Sequence, residues 1–336
     1  MGARVIGVSK DIPTTPSMFE TLSLKDQITH YFCDVRDLIS LNEIFEKEKP
    51  DFVFHLAAQP IVSVSYTDPV ETITSNAIGT MSVLEVLRKY EDECTVVMIT
   101  SDKCYDNVES IFGYRETDAL GGKDVYSGSK GMAELVIKSY VHSFLMKKKN
   151  IKIAVGRAGN VIGGGDWAKD RIVVDCVNAW SEGKKVEIRS PKATRPWQHV
   201  LEPLSGYLLL AELLFNSEKN LQAEPFNFGP RAEQNRSVKE LITDLANFWG
   251  FSSIDDALVI TGNIPFHEAG LLKLNCDKAL FHLRWQPTLN YEETIQLVGN
   301  WYYTYYQNNE KMFELTVNQI QQYESIALNG NATWIN

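Results

Sequence analysis

Tyr126 and Lys130 stand four residues apart in a stretch whose apolar positions (Met132, Leu135, Val136) recur at helical spacing. At that spacing the two side chains share one face, about one turn apart. A lysine beside a tyrosine favours the phenolate, so the phenol can take up a proton nearer neutral pH. A bare pair of this kind is more often a solvated surface pair. Here it follows Val96 to Thr100, a short apolar run that reads as a buried strand, with Ser101, Asp102 and Lys103 directly after it. Ligands of open α/β sheets bind beyond the carboxyl ends of the strands. An acid and a base therefore stand where such a fold does its chemistry.

The elements that must position these groups are legible around them. Arg4 to Val8 is a short β-rich run, and Asp11 to Phe19, with two prolines, is a loop. Ile28 to Cys33 is a strand ending in the acidic turn Asp34-Val35-Arg36-Asp37, and Leu38 to Phe45 is helical. Asp51 to Ala58 is an apolar strand, Val70 to Tyr90 one long amphipathic helix, and Ile151 to Val155 a further strand. Strands alternating with helices predict an α/β fold with a doubly wound parallel sheet. Further on, helices are predicted from Arg171 to about Trp180, from Leu204 to Phe215, from Ser237, as cap, to about Trp249, and over Tyr291–Tyr305 and Thr316–Tyr323. Lys185 to Arg189 and the residues before Gly229 read as strands.

A chain of 336 residues is longer than one core usually serves, so two lobes are expected. The formal net charge of -10 argues against a protein that grips a phosphate backbone over a basic patch. It leaves room for a small anionic ligand held by a few local arginines. The cysteines, Cys33, Cys94, Cys104, Cys176 and Cys276, are odd in number and lack CxxC spacing, which suggests neither a metal site nor a disulfide framework. A reducing, cytoplasmic setting fits, and no apolar run is long enough to span a membrane.

Other residues invite a binding role. Leu56-Ala57-Ala58-Gln59 leaves a strand through small side chains that let a cofactor approach the backbone, or that simply pack under a helix. His55, inside the apolar strand, reads as a core or supporting histidine. Asp34 suits an adenine amino group or the cap of the next helix. Asn76, in mid-helix, either bridges backbone groups near a cofactor or faces water. The glycine-rich run Ala158 to Trp167 lacks P-loop spacing but can fold over a ligand. Arg195 beside Trp197 offers charge for phosphates and an aromatic face for stacking, or a turn fixed by Pro196.

Taken together, TSDKCY (100–105), YSGSK (126–130), GGGDW (163–167) and RPWQHVLEP (195–203), with DVRD (34–37), HLAAQ (55–59) and FNFGP (226–230), resemble the extended short-chain dehydrogenase/reductases that act on nucleotide sugars. Within that family the resemblance is strongest to the CDP-glucose 4,6-dehydratases. It covers most of the chain in order. It implies a Rossmann-like NAD-binding domain over 1–160 and about 200–230. A smaller α+β nucleotide-sugar-binding domain takes 161–199 and 231–336. The implied reaction converts CDP-D-glucose to CDP-4-dehydro-6-deoxy-D-glucose and water, with NAD recycled on the enzyme. Tyr126 would take the 4-hydroxyl proton, Lys130 lower its pKa and hold the nicotinamide ribose, and Thr100 hydrogen-bond the 4-oxygen. Lys103 is the candidate base at C5 and Asp102 the candidate acid at O6. Asp34, Val35, Leu56, Ala57, Ala58, Gln59 and Asn76 would join Tyr126 and Lys130 around NAD. Asn160, Arg171 and Arg195 would grip the diphosphate, with Trp167, Gln198 and His199 near the nucleotide. A homodimer is implied, with no nucleic-acid or membrane partner. Another nucleotide-sugar dehydratase or an epimerase, or a silent nucleotide-sugar-binding protein, are the alternatives.

The family opens with a strand, a GxxGxxG turn and a helix, and here Met1 falls near the end of that helix. The first βα unit is thus expected to be missing, leaving Arg4 to Val8 apart from the sheet core with exposed edges. Either the sequence starts downstream of the natural start, or the product is truncated and should bind NAD poorly. Ser9 and Lys10, after the second family strand, leave NAD and NADP both open.

Overall fold

The computed structural model describes residues 2–217, 220–231, 233–261, 271–307 and 311–335. Its centre is a parallel sheet of four strands: β3 (Phe52–His55), β4 (Cys94–Ser101), β5 (Ile151–Ala158) and the strand Pro225–Phe228, in that order. Cys94 to Met98 of β4 are buried, as expected of an inner parallel strand covered by helices on both faces. β1 (Ile6–Ser9) and β2 (Thr29–Phe32) form a separate parallel pair. Among the described residues no strand joins β1 to β3, and Phe52 and Phe32 on these outer strands are exposed. The break falls where the sequence predicts it. One apolar core nevertheless spans it: Val8 of β1, Cys33, Leu41 and Phe45 pack with Val53 of β3 and with Leu84, Leu87, Val96 and Met98.

On that face lie the helices Leu38–Glu48, Gly79–Lys89 and Val125–Ser143. The long helix expected over 70–90 is interrupted. Pro69–Ile73 and Gly79–Lys89 are α-helical, and Thr74–Ile78 between them is a π-turn. Such turns are frequent at functional sites, and this one carries Asn76. The helix Val125–Ser143 is capped by Asp124, whose carboxylate accepts from the Ser127 N–H at 2.9 Å. It buries Tyr126, Lys130, Ala133, Ile137 and Val141, whereas Met132 and Leu135 point outward. The periodicity there was correct as a helix signal, but these two apolar residues are not its core face.

The opposite face of the sheet is covered by Leu201–Phe215, a helix apolar on nearly every side, which packs with Phe226, Phe228 and Trp285. Its outer face nevertheless leaves Leu204, Leu208 and Phe215 exposed. A second, separate core joins the helices Ile172–Ser181, Val238–Ala246 and Tyr291–Gln307 with the paired strands Val186–Ile188 and Leu258–Ile260. Trp167, Trp180, Trp197 and Trp301 fill it. Ser237 and Glu240 close a full capping box at the start of Val238–Ala246. Leu22 is buried in this same core, with Met18 and Leu24 against it. The connection between β1 and β2 therefore crosses over to pack on the C-terminal part of the chain.

All five cysteines are free. Among the described residues no helix is long and apolar enough to cross a membrane, and no cluster of His, Cys, Asp and Glu could hold a metal ion.

Candidate active site

At the carboxyl end of β4 the backbone runs straight into a 3-10 turn, Asp102–Cys104, capped by Ser101, whose oxygen accepts from the Lys103 N–H at 3.2 Å. Successive residues of a strand point to opposite faces. Thr100 and Ser101 therefore diverge. The Thr100 hydroxyl donates to Glu134, buried in the helix behind the sheet. The Ser101 hydroxyl turns to the other side, where it donates to Asp102 Oδ1 at 2.9 Å and pulls the pKa of the Tyr126 phenol down through a hydrogen bond. Of the two hydroxyls, that of Ser101, and not that of Thr100, stands on the side of Asp102 and Tyr126. The alternation of the strand was the signal that could have shown it.

Asp102 is buried, and burial raises its pKa above the ordinary carboxylate value against the charge of Lys103. The Asn160 amide approaches its Oδ2 at 3.4 Å. A Cβ on Gly159 would stand 2.0 Å from the same oxygen, so only glycine fits there. Gly164 and Gly165 make equally close room for Trp301 and Met18. The glycine-rich run thus serves packing against its own protein and does not fold over the cavity.

Tyr126 and Lys130 are both buried. Burial pushes the phenol up to about 12, opposed by the charge of Arg171 and by Ser101, and it pushes the Lys130 ammonium down to about 8. The ammonium lies 5.8 Å from the centre of the Tyr126 ring and meets no acceptor among the described residues. The expectation that Lys130 sets the tyrosine pKa is therefore not what the chain alone displays: desolvation dominates both groups.

Behind them lies a buried ion pair. Arg157 of β5 donates from Nε and Nη2 to the two oxygens of Glu134, at 2.8 and 2.7 Å. Its Nη1 donates to the Tyr105 oxygen at 2.8 Å, and Tyr105 donates to Asn227 Oδ1 at 2.7 Å. Sequence reasoning missed this network, because Glu134, Arg157 and Asn227 come together only in three dimensions.

The loop leaving β3 is pinned from the side. Asn76 is buried, accepts from the Gln59 N–H at 2.8 Å and donates to the Ser129 oxygen at 2.8 Å. Of its two readings, bridging holds. Gln59 accepts from the Ile61 N–H and donates to Thr72. Ala57 and Ala58 are half-buried and Leu56 is exposed. His55 is a core histidine, paired with Thr80 at 3.1 Å, and burial lowers its pKa to about 4. Both oxygens of Asp34 accept from Arg36, which also binds Glu71. The next helix is capped by Asp37, not by Asp34. Val35 packs against Gly79, where a Cβ would come within 2.6 Å.

A cavity of about 570 Å³ lies beside the carboxyl end of β4; Lys103 and Ser127 line it, whereas their neighbours Ser101, Asp102, Tyr126 and Lys130 do not. Lys103, Arg171 and Arg195 line it, with Tyr105, Ser127 and Arg189. Arg171 also donates to the Pro60 carbonyl at 3.1 Å, and Ser63 donates to Asp170, which closes the wall between the two cores. Asn160, Trp167, Gln198 and His199 do not line the cavity. Trp167 is an aromatic core residue against Trp301 and Tyr305. Gln198 donates to the carbonyls of Gly159 and Phe228. His199 is buried, and desolvation lowers its pKa to about 4. Trp197, Gln198 and His199 follow Arg195 in sequence, but all three are buried away from the cavity it lines.

An open α/β sheet with a Tyr/Lys pair and an Asp-Lys turn at the strand ends, facing a cationic cavity, defines an extended dehydrogenase-like fold. The chain belongs to the GDP-mannose 4,6 dehydratase family, whose model matches residues 2–298. It is 42% identical over 330 residues to the CDP-glucose 4,6-dehydratase of Salmonella typhimurium, covering 97% of this chain and 90% of that protein. It is 24% identical over 287 residues to a dTDP-glucose 4,6-dehydratase of Haemophilus influenzae, covering 80% of this chain and 81% of that one. In fold it matches a dTDP-glucose 4,6-dehydratase of Streptomyces venezuelae solved with NAD, at TM-score 0.75, 18% identity, and coverage of 93% and 90%. It also matches the UDP-glucose 4-epimerase of Thermotoga maritima solved with UDP-glucose, at TM-score 0.75, 23% identity, and coverage of 89% and 90%.

Lys130 links this site to stability. Its pKa falls from 10.5 to about 8 on folding. Below pH 8 both states hold the proton, and between 8 and 10.5 the unfolded chain alone does, so stability should rise with pH across that window. Lys130→Met should stabilise the fold at pH 7, by an order of a few kcal/mol, and flatten that rise. Urea unfolding at pH 7 and pH 9.5 checks it; a variant less stable than the parent at pH 7 would contradict it.

Proposed function

We propose that the chain dehydrates CDP-D-glucose to CDP-4-dehydro-6-deoxy-D-glucose, using NAD. The observation that carries this is the Asp102-Lys103 turn beside Ser101, Tyr126 and Lys130 at one strand end. The first two are the acid and base an elimination needs and a simple 4-epimerisation does not. The 42% identity with a CDP-glucose 4,6-dehydratase supports the choice of substrate.

The residues present fit a dinucleotide. Lys130 carries a buried ammonium without an acceptor, suited to ribose hydroxyls, and Ala57 and Ala58 leave the backbone open beside Asn76. Leu56 and Gln59 would flank it, and Asp34 and Val35 would stand at its adenine end. Bound there, NAD would supply the hydride chemistry, removal from C4 and return to C6. Tyr126 accepts the 4-hydroxyl proton, with Ser101 hydrogen-bonded at the 4-oxygen. The C4 ketone acidifies C5, and Lys103, acting as the neutral amine, removes that proton and becomes the ammonium. Asp102, whose pKa burial raises, gives its proton to the departing 6-hydroxyl, which leaves as water. Arg171 and Arg195 neutralise the diphosphate. In this reading the residues 1–160 and about 200–230 serve the cofactor, and 161–199 with 231–336 serve the nucleotide sugar, in the cytoplasm.

Incubation with NAD and CDP-glucose, followed by NMR of the sugar, should show the 4-keto-6-deoxy product; unchanged CDP-glucose, with and without added upstream sequence, would overturn the proposal. Ser101→Ala and Tyr126→Phe should each lower kcat by about 10²–10⁴-fold. Thr100→Val should act chiefly on stability.

The outward Met132 and Leu135 on the helix Val125–Ser143, with exposed Ile78 nearby in sequence to the neighbouring helix, support a homodimer through this face. Sedimentation should give a dimer that Leu135→Glu converts to monomer; a monomeric parent would contradict it.

A further inference from the structure

The cavity holds three arginines, and they are not equivalent. The charge of Arg171 lowers the pKa of Tyr126 and Lys130, and that of Arg195 lowers the pKa of Asp102, so both are coupled to the reacting groups. Arg189 acts instead on Asp175, in the helix Ile172–Ser181 of the C-terminal core. It directly follows the strand Val186–Ile188, which pairs with Leu258–Ile260 and belongs to that core, not to the central sheet. Its side chain is half-buried and lines the cavity. A nucleoside diphosphate hexose is a linear ligand, with sugar, diphosphate and base in sequence. With the hexose on Tyr126 and Lys103 and the diphosphate neutralised by Arg171 and Arg195, Arg189 would be the arginine of the cavity left for the base.

We propose that Arg189 reads the base, and selects cytosine over uracil and thymine. The guanidinium presents two parallel N–H donors in a fixed fork. The Watson–Crick edge of cytosine presents O2 and N3, both acceptors, which match that fork. Uracil and thymine present O2 beside an N3–H, so the second donor of the fork meets another donor. A site built around such a pair discriminates by leaving the wrong base with an unmet donor as well as by rewarding the right one. The inference rests on the nucleotide-sugar reading above and adds the residue that sets its base.

Titration calorimetry with CDP and with UDP, on the full chain and on Arg189→Gln, tests it without requiring turnover. The parent should bind CDP about 10–100-fold more tightly than UDP, a ratio of the size that one bidentate base contact supplies. Arg189→Gln should reduce the ratio to within about threefold, and in turnover of CDP-glucose the loss should fall on KM more than on kcat. Arg189→Lys, which keeps the charge and removes the fork, should lose the ratio as well, and it serves if the glutamine variant does not fold. Equal weakening of CDP and UDP would make Arg189 a phosphate contact and overturn the proposal, as would a parent that binds both alike or a variant that keeps the full preference. A parent that prefers CDP through Arg189 yet fails to turn over CDP-glucose would sink the dehydratase reading and leave this one standing.

Discussion

The site depends on one buried ion pair. Arg157 reaches from β5 to Glu134 on the helix Val125–Ser143, and both side chains are all but inaccessible to water. Taking two charges out of water costs several kcal/mol per ion and is repaid only where the geometry is excellent and the remaining donors and acceptors are met. Here they are met. Thr100 of β4 donates to Glu134, and Tyr105 and the Glu116 carbonyl accept from Arg157. Tyr105 passes the network to Asn227 on the next strand, whose amide donates to the Tyr114 and Asn275 carbonyls. Three neighbouring strands and one helix are thereby fixed to one another one layer behind the cavity. Tyr126 sits two turns before Glu134 on that helix, and Ser101 one residue after Thr100 on that strand. The distance between phenol and hydroxyl is a consequence of the pair.

That arrangement also sets the electrostatics. Because the network satisfies Glu134 and Arg157 internally, the groups on the cavity side feel burial more than they feel its charge. Burial raises Asp102 and Tyr126 and lowers Lys130, so each is displaced toward its neutral form. A carboxyl whose pKa is raised by burial suits a general acid near neutrality. The cost of holding these groups there is borne by the helices packed on both faces of β4.

Much of this was legible in the sequence, and the rest failed for identifiable reasons. The alternation of apolar strands and amphipathic helices yielded the parallel sheet, and the expectation that Arg4 to Val8 stand apart from the sheet core matches the separate pair of β1 and β2. Tyr126, Lys130, Asp102 and Lys103 could be placed near one strand end because a local spacing and the end of β4 suffice for that. Thr100 was preferred to Ser101 because its environment depends on which face of the sheet carries the helix with Glu134. Trp167, Gln198 and His199 carry polar or aromatic groups that chemistry would welcome in a nucleotide site, but the tertiary core claims them. Arg189 has no motif, and only its place on the cavity wall gives it a role. The π-turn at Thr74–Ile78 was invisible because its residues continue the helical pattern on either side.

The central claim is an internal redox cycle: oxidation at C4, loss of water across C5 and C6, and return of the same hydride at C6. It is tested most directly with CDP-glucose deuterated at C4. The account predicts that the deuterium is recovered in the C6 methyl group of the product, with a proton from solvent entering at C5. Deuterium that remains at C4 of the sugar, or that is released on free reduced cofactor, would contradict it.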